Sequence, residues 1–246
     1  MLVKDMLMKK GSLNVFTDAS KITYEGVVYT ASCVSIYYWN DNLVTENTYL
    51  LKNSTNNIGE LYGVFKGITD AHKYVKSMPE WFNSINLFSD SSFCITGLTS
   101  WMHSWIQNRD DFGFLYNSNK QPVANQRIFS AIVSEILSID ESIPVRLFKN
   151  RGHVDSPNKL QNARTYFENA NDLYFKNQSC DMSLIKYISD KNDHADRQSR
   201  YVLNDARERN LLSRTIDIND ALPITFSIPD TKTMELYFKR ISRPII

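Results

Sequence analysis

Leu13-Asn14-Val15-Phe16-Thr17-Asp18-Ala19-Ser20 is the stretch on which the fold turns. Its first five residues read as a strand, and the strand leads into a carboxylate, Asp18. Working outward, residues 27–39 are rich in Val, Tyr, Ile and Thr, Asn40-Asp41-Asn42 is a turn signal, and residues 43–51 offer a third strand. These three runs predict an antiparallel meander. At Ile58 the period changes. Leu61, Val64, Phe65, Ile68, Ala71 and Val75 recur at helical spacing, which predicts a helix ending near Ser77, before Pro79, with Glu60 in its first turn. Ile85-Asn86-Leu87-Phe88-Ser89 is then a short strand delivering Asp90 at its carboxyl end. Helices are expected over 95–106 and 125–139, a fifth strand over 144–148, and a helix over 193–209 that carries Asp196. The expected class is α+β, close to a three-layer α/β arrangement: a five-stranded mixed sheet flanked by helices.

The chain has 246 residues, enough for one domain with additions. We expect a leader over 1–11, a main domain over 12–212 with a helical insertion at 154–191, and a C-terminal extension over 213–246. That extension has scattered prolines and a basic end, Lys239-Arg240-Ile241-Ser242-Arg243. Charge is balanced, 28 Lys+Arg against 27 Asp+Glu, so bulk electrostatics do not announce a nucleic-acid binder and any positive surface must be local. Cys33, Cys94 and Cys180 are far apart and have no metal-binding spacing, which suits a reducing compartment. The first ten residues alternate apolar and charged, unlike a signal peptide, and no apolar run is long enough to span a bilayer. The expectation is a cytoplasmic monomer with no membrane partner, its extension a candidate surface for a protein partner.

Four carboxylates lie in four short segments: Asp18, Glu60 in Thr55-Asn56-Asn57-Ile58-Gly59-Glu60, Asp90 in Ser89-Asp90-Ser91, and Asp196 in Asn192-Asp193-His194-Ala195-Asp196. Singly, each reads as a turn or a helix-terminus acid. Three or four carboxylates brought together from separate elements suit Mg²⁺, which prefers hard oxygen donors. Two such cations roughly 3.5–4 Å apart can activate water and stabilise the leaving oxygen of a phosphodiester.

In this order and setting the segments resemble the type 1 ribonuclease H family, over most of residues 13–153 and again from Asn192. Thr55-Asn56-Asn57 with Glu60 is similar to the family's Thr-Asn-Asn-x-x-Glu. Asp90 followed by Trp101-Met102-His103-Ser104-Trp105 and Gln121-Pro122-Val123-Ala124-Asn125 is similar to its Trp-x-x-x-Trp helix, handle and Pro-Val-x-Asn segment. The resemblance implies two Mg²⁺ ions, with Mn²⁺ able to substitute, held by Asp18, Glu60, Asp90 and Asp196. It makes His153, in Lys149-Asn150-Arg151-Gly152-His153, a proton-transfer or product-release residue. It assigns substrate contacts to Ser20, Thr55, Asn56, Asn57, Ser91, Asn125 and Asn192. Asp193 competes with Asp196 for the fourth place, while Asn192 and Ala195 set the register on Asp196. His194 is expected on the surface of that helix, and Trp101 and Trp105 are expected mainly to pack.

The implied activity is metal-dependent endonucleolytic hydrolysis of the RNA strand of RNA/DNA hybrids, leaving 5′-phosphate products. The alternatives are a related nuclease acting on DNA and a hybrid-binding scaffold. The sequence also departs from the family. Its handle, Gln107-Asn108-Arg109-Asp110-Asp111-Phe112-Gly113-Phe114, is almost neutral where the family is lysine-rich. Ser92 stands where many members have Gln, and Ala19 replaces a common Gly. Arg151, Lys159 and Arg164 are candidates to replace the missing basic charge. The insertion's aromatics, Tyr166, Phe167, Tyr174 and Phe175, are expected to pack rather than to stack on bases.

Overall fold

A computed structural model describes residues 7–154, 156–175, 179–222 and 230–242. The first six residues of the expected leader, the prolines of the extension and Arg243 of its basic end lie outside the described residues.

The meander forms as expected, with the first strand running well past Asp18: β1 (Ser12–Tyr24), β2 (Val27–Tyr38) and β3 (Leu43–Lys52). Glu25 and Gly26 both have positive φ (49° and 77°), the signature of a two-residue hairpin turn whose twist matches the strands. Then come α1 (Asn56–Ser77), β4 (Ser84–Ser89), α2 (Ser92–Thr96), a π-helical turn (Gly97–Trp101), α3 (Met102–Gln107), α4 (Gln126–Ser138) and β5 (Val145–Lys149). The chain continues through α5 (Pro157–Ala170), α6 (Asp172–Phe175), α7 (Met182–Glu208), β6 (Ile216–Asp217), α8 (Ile218–Ala221) and α9 (Thr231–Ile241). The result is an α+β fold with one mixed sheet of order β5-β4-β1-β2-β3-β6, in which β4 runs parallel to β1 and to β5.

Three expectations are corrected. The sheet has six strands rather than five, because Ile216 and Asp217 of the extension pair in parallel with Leu51 and Lys52 at the β3 edge. Thr55 caps α1 by accepting a hydrogen bond from Ile58 N (3.3 Å), so the helix starts at Asn56 and Glu60 sits in its second turn, not its first. The helix carrying Asp196 starts at Met182 instead of 193, because Asp181 caps it through Leu184 N (2.7 Å).

Each face of the sheet has its own core. Val15, Ile85, Leu87, Val145 and Leu147 pack against α1 and α4 in the larger one, which Met234, Tyr237 and Ile241 of α9 complete. On the opposite face Phe16, Phe88 and Phe148 lie side by side on β1, β4 and β5, with stacked ring centroids 4.8 and 4.9 Å apart. Leu7, Phe167, Tyr174 and Phe175 close over them, so these three aromatics pack as expected. The 154–191 segment also covers the open edge of β5. Tyr174 Oη accepts from Leu147 N (3.1 Å), and the Asn171 amide pairs with the Lys149 backbone at both N and O (2.9 and 2.8 Å). A bare strand edge is a liability, and Asn171 and Tyr174 blunt this one. No described helix is long and apolar enough to cross a membrane.

Candidate active site

The register of the sheet builds the site. Phe16, Phe88 and Phe148 are paired neighbours, and two residues further along each chain come Asp18, Asp90 and Asn150. Because side chains alternate, a row of polar groups continues the ladder of rings on the same face. β4 ends at Ser89, whereas β1 runs on to Tyr24, so Asp18 lies inside a strand and Asp90 just beyond one. Glu60 joins them from the other layer. Gly59, Gly63 and Gly67 recur every four residues along α1 where it crosses the sheet. A Cβ at Gly59 would lie 3.0 Å from Thr30 Cβ, and one at Gly67 would lie 3.0 Å from Val15 Cγ1 and Thr17 Cγ2. Lacking a Cβ at these positions, α1 sits close on β1 and β2.

One carboxylate oxygen from each of Asp18, Glu60 and Asp90 lies within 4.8 Å of the other two. All three are largely buried, and their acidities respond. Burial, then the charges of Asp90 and Asp196, push Asp18 up to about 8. Burial, then Asp18 and Asp90, hold Glu60 well above the usual carboxylate range. Burial also raises Asp90, against the Asn192 amide and the charge that His153 carries when protonated. Glu60 Oε2 is buried without a hydrogen-bond partner among the described residues. Mutually repelling hard oxygens with an unpaired atom among them fit a divalent cation.

Asn192 organises the row. Its Nδ2 donates to Asp90 Oδ2 (3.2 Å) and Asp18 Oδ2 (3.5 Å), and its Oδ1 accepts from Asn150 Nδ2 (3.0 Å). Expected at the substrate, Asn192 is instead only 1% exposed and acts on the carboxylates. One turn further along α7, on the same face, stands Asp196. It contributes to the field on Asp18 and Asp90, but its carboxylate closes on Arg200, with Nε–Oδ1 at 2.8 Å and Nη2–Oδ2 at 2.6 Å. It is therefore outside the cluster of three. Asp193 points elsewhere and accepts from His153 N (3.2 Å). His153 is exposed on a left-handed backbone (φ 56°).

The remaining expected contacts scatter around this centre. Ser20 Oγ bonds Ser199 Oγ (2.7 Å), tying β1 to α7, and Asn56 Nδ2 donates to Glu60 Oε1 (3.4 Å). Thr55 and Ser91 cap α1 and α2, Asn57 is exposed, and Asn125 starts α4 on a left-handed backbone (φ 61°). His194 is not a free surface residue. It reaches Glu46 Oε2 at 2.5 Å and links α7 to β3. Trp105 packs on Phe129 as expected, but Trp101 is 42% exposed. Arg164 is engaged by Glu168 (3.2 Å) and Ser179, so its charge is not free to replace the handle's.

Sequence reasoning missed Asn150, Gly152 and Arg200. Arg200 had a signal, its place four residues after Asp196 on a helix. Gly152 had none, because its need is tertiary: a Cβ there would collide with Asp90 Oδ2. Gly152→Ala is therefore expected to displace Asp90 or the loop. It should cut the thermal stabilisation by Mg²⁺ at least about tenfold in apparent affinity, in the range of losses typical for groups that support metal ligands. Melting curves across a Mg²⁺ titration check this, and an unchanged midpoint would refute it.

The sequence model of the RNase H family matches residues 10–165, so the match stops short of α7 and Asp196. A curated relative, ribonuclease H of Treponema denticola, is 27% identical over 112 residues, 43% of this chain; the chain spans 64% of that relative's length. Among solved structures, a foamy viral protease-reverse transcriptase in complex with an RNA/DNA hybrid has 12% identity over 67% of this chain and 20% of its own, at TM-score 0.47. RNase H1 from Halobacterium salinarum has 12% identity over 56% of this chain and 86% of its own, at TM-score 0.36. LC11-RNase H1 in complex with an RNA/DNA hybrid has 12% identity over 65% of this chain and 96% of its own, at TM-score 0.39. On the family-wide match over more than half of its residues, this chain belongs to the RNase H family.

Proposed function

We propose that the protein is an endonuclease that hydrolyses the RNA strand of RNA/DNA hybrids with divalent cations, Mg²⁺ in the first place and Mn²⁺ as a substitute, leaving 5′-phosphate ends. The observation that carries this reading is the convergence of Asp18, Glu60 and Asp90 within 4.8 Å at the end of β4. Those three residues would hold two cations, which when bound activate water and stabilise the leaving oxygen of a phosphodiester.

The chain's own groups supply the rest. Asn192 and Asn150 fix the orientation of Asp18 and Asp90, so that two carboxylates point into one space before anything binds. Asp196 joins on release from Arg200. His153, held by Asp193 at the mouth of the site, exchanges protons with solvent and with the departing product. The start of α1 offers backbone N–H groups and the exposed Asn57 to a sugar-phosphate strand. An amide there can both donate to and accept from a 2′-hydroxyl, which distinguishes RNA from DNA.

The test is cleavage of end-labelled hybrid, duplex DNA, duplex RNA and a four-way DNA junction, each with Mg²⁺, with Mn²⁺ and with chelator. We expect cutting of the hybrid alone, in its RNA strand, and none with chelator. Cutting of the junction but not the hybrid would move the protein to a DNA substrate, and hybrid binding without cutting would make it a scaffold.

A further inference from the structure

The handle is a poor site for phosphate. Arg109 is followed by Asp110 and Asp111, and the tip of the turn is Phe112, 90% exposed. The positive charge lies elsewhere. From Arg197 to Arg214, both included, there are five arginines and no lysine, against two acids, Asp205 and Glu208. Arginine's planar fork suits phosphate oxygens.

Helical geometry sorts these arginines. Arg197, Arg200, Asn204 and Arg207 are spaced three, four and three residues apart, so they form one line along α7. The line flanks the face that carries Asn192 and Asp196, and it begins at the carboxylates, where Arg200 closes on Asp196. The buried side of the helix fixes the orientation, with Leu203 and Ala206 packed on Tyr29 and Ala31, and Ser199 bonded to Ser20. Arg197 and Arg207 are exposed, and neither has an ion-pair partner among the described residues. Of the two acids, Asp205 is taken by Arg209 (2.8 Å) on the far side of the helix, and Glu208, four residues after Asn204, lies at the far end of the line, away from the carboxylates. From Arg197 to Arg207 the line runs about 15 Å at 1.5 Å per residue, long enough to follow several nucleotides at ~3.4 Å each.

We propose that this flank of α7 is the phosphate-gripping surface of the protein, standing in for a basic handle: Arg197, Asn204 and Arg207 hold the backbone of the duplex as it leaves the carboxylates. The proposal rests on the hybrid-cleaving reading above for its substrate. Charge complementarity and continuity with the cluster identify the occupant as a nucleic-acid backbone.

The test compares the full chain with Arg197→Ala/Arg207→Ala, Arg197→Lys/Arg207→Lys and Arg209→Ala. Hybrid cleavage is measured from low to high KCl, and Mg²⁺-induced thermal shifts are measured alongside. For the double Ala variant we expect KM to rise about tenfold at low salt, with the loss falling on KM rather than kcat. The dependence of log KM on log salt should flatten by about 2, at roughly 0.9 for each phosphate that the protein no longer neutralises. The Mg²⁺ shift should hold, the Lys variant should recover the salt slope, and Arg209→Ala should match the parent. An unchanged KM and slope in the double Ala variant would overturn the proposal, as would an equal loss in Arg209→Ala. A parent that cuts no hybrid would instead refute the hybrid-cleaving reading, and is distinguishable because no variant is needed to see it.

Discussion

Asp18→Asn is expected to reduce metal-dependent cleavage of hybrid by roughly a thousandfold or more, about 4 kcal/mol of transition-state stabilisation, and at the same time to make the metal-free protein more stable. Both effects follow from one fact: three carboxylates share a buried space. Asparagine keeps the shape and keeps an oxygen to accept from Ala19 N, as Asp18 Oδ1 does at 2.6 Å. It removes a charge that Asp90 and Asp196 repel. At pH 8 the gain should be about 1–3 kcal/mol, after discounting for relaxation of the site. Single-turnover cleavage and urea unfolding in chelator read the two effects separately. Cleavage at the parental rate would sink the catalytic assignment, and a destabilised variant would refute the account of the cluster's electrostatics.

The second large effect is a coupling of pH, metal and stability. The folded-state pKa of Asp18, about 8, lies above its ordinary value of 3.8. Glu60 and Asp90 are shifted in the same direction. Below about pH 4 these groups are protonated whether folded or not, and they cost nothing. Between pH 4 and 8 the unfolded chain ionises them while the folded chain resists. Stability in chelator therefore falls as pH rises through that window, by up to ~1.4 kcal/mol per unit for each group fully out of balance. Asp70, Asp140, Asp217 and Asp230 are shifted downward instead, so their contributions change only in acid and do not mask the trend. On the proposed reading, a divalent cation held by these carboxylates would displace the retained protons. Mg²⁺ should thus raise the melting temperature several degrees more at pH 8 than at pH 6, and calorimetry in buffers of different ionisation enthalpy should detect proton release. A melting temperature in chelator that stays flat from pH 5 to 8, with equal Mg²⁺ shifts, would contradict this.

Local pattern suffices for the three carboxylates and not for the groups that hold them. Asp18 and Asp90 were legible because a short apolar run precedes each, and Glu60 because it lies near the start of a strongly periodic helix. Asn192 is visible through its place in a motif, yet the motif points it at substrate when its amide in fact holds two carboxylates. Phe167, Tyr174 and Phe175 pack as expected, whereas Asn171, which satisfies the β5 edge, carries no signal: a lone Asn in a polar helix looks the same whether or not a strand lies beside it. The β6 pairing is invisible for a similar reason, since two residues are too few to show a period.

The sequence by itself determined what depends on neighbours along the chain: the meander, the long glycine-bearing helix, the carboxylates that follow apolar runs and the order in which they occur. Tertiary structure decided what depends on neighbours across the sheet. The parallel pairing of Phe16 with Phe88 and of Phe88 with Phe148 sets Asp18, Asp90 and Asn150 in one row. The turn of α7 that bonds Ser199 to Ser20 puts Asn192 and Asp196 toward that row and the arginines beside it. The physical reason is that period and capping act over three or four residues, whereas register and helix rotation are fixed by which surfaces bury one another. A charge's effect is decided only once that burial has removed the water around it.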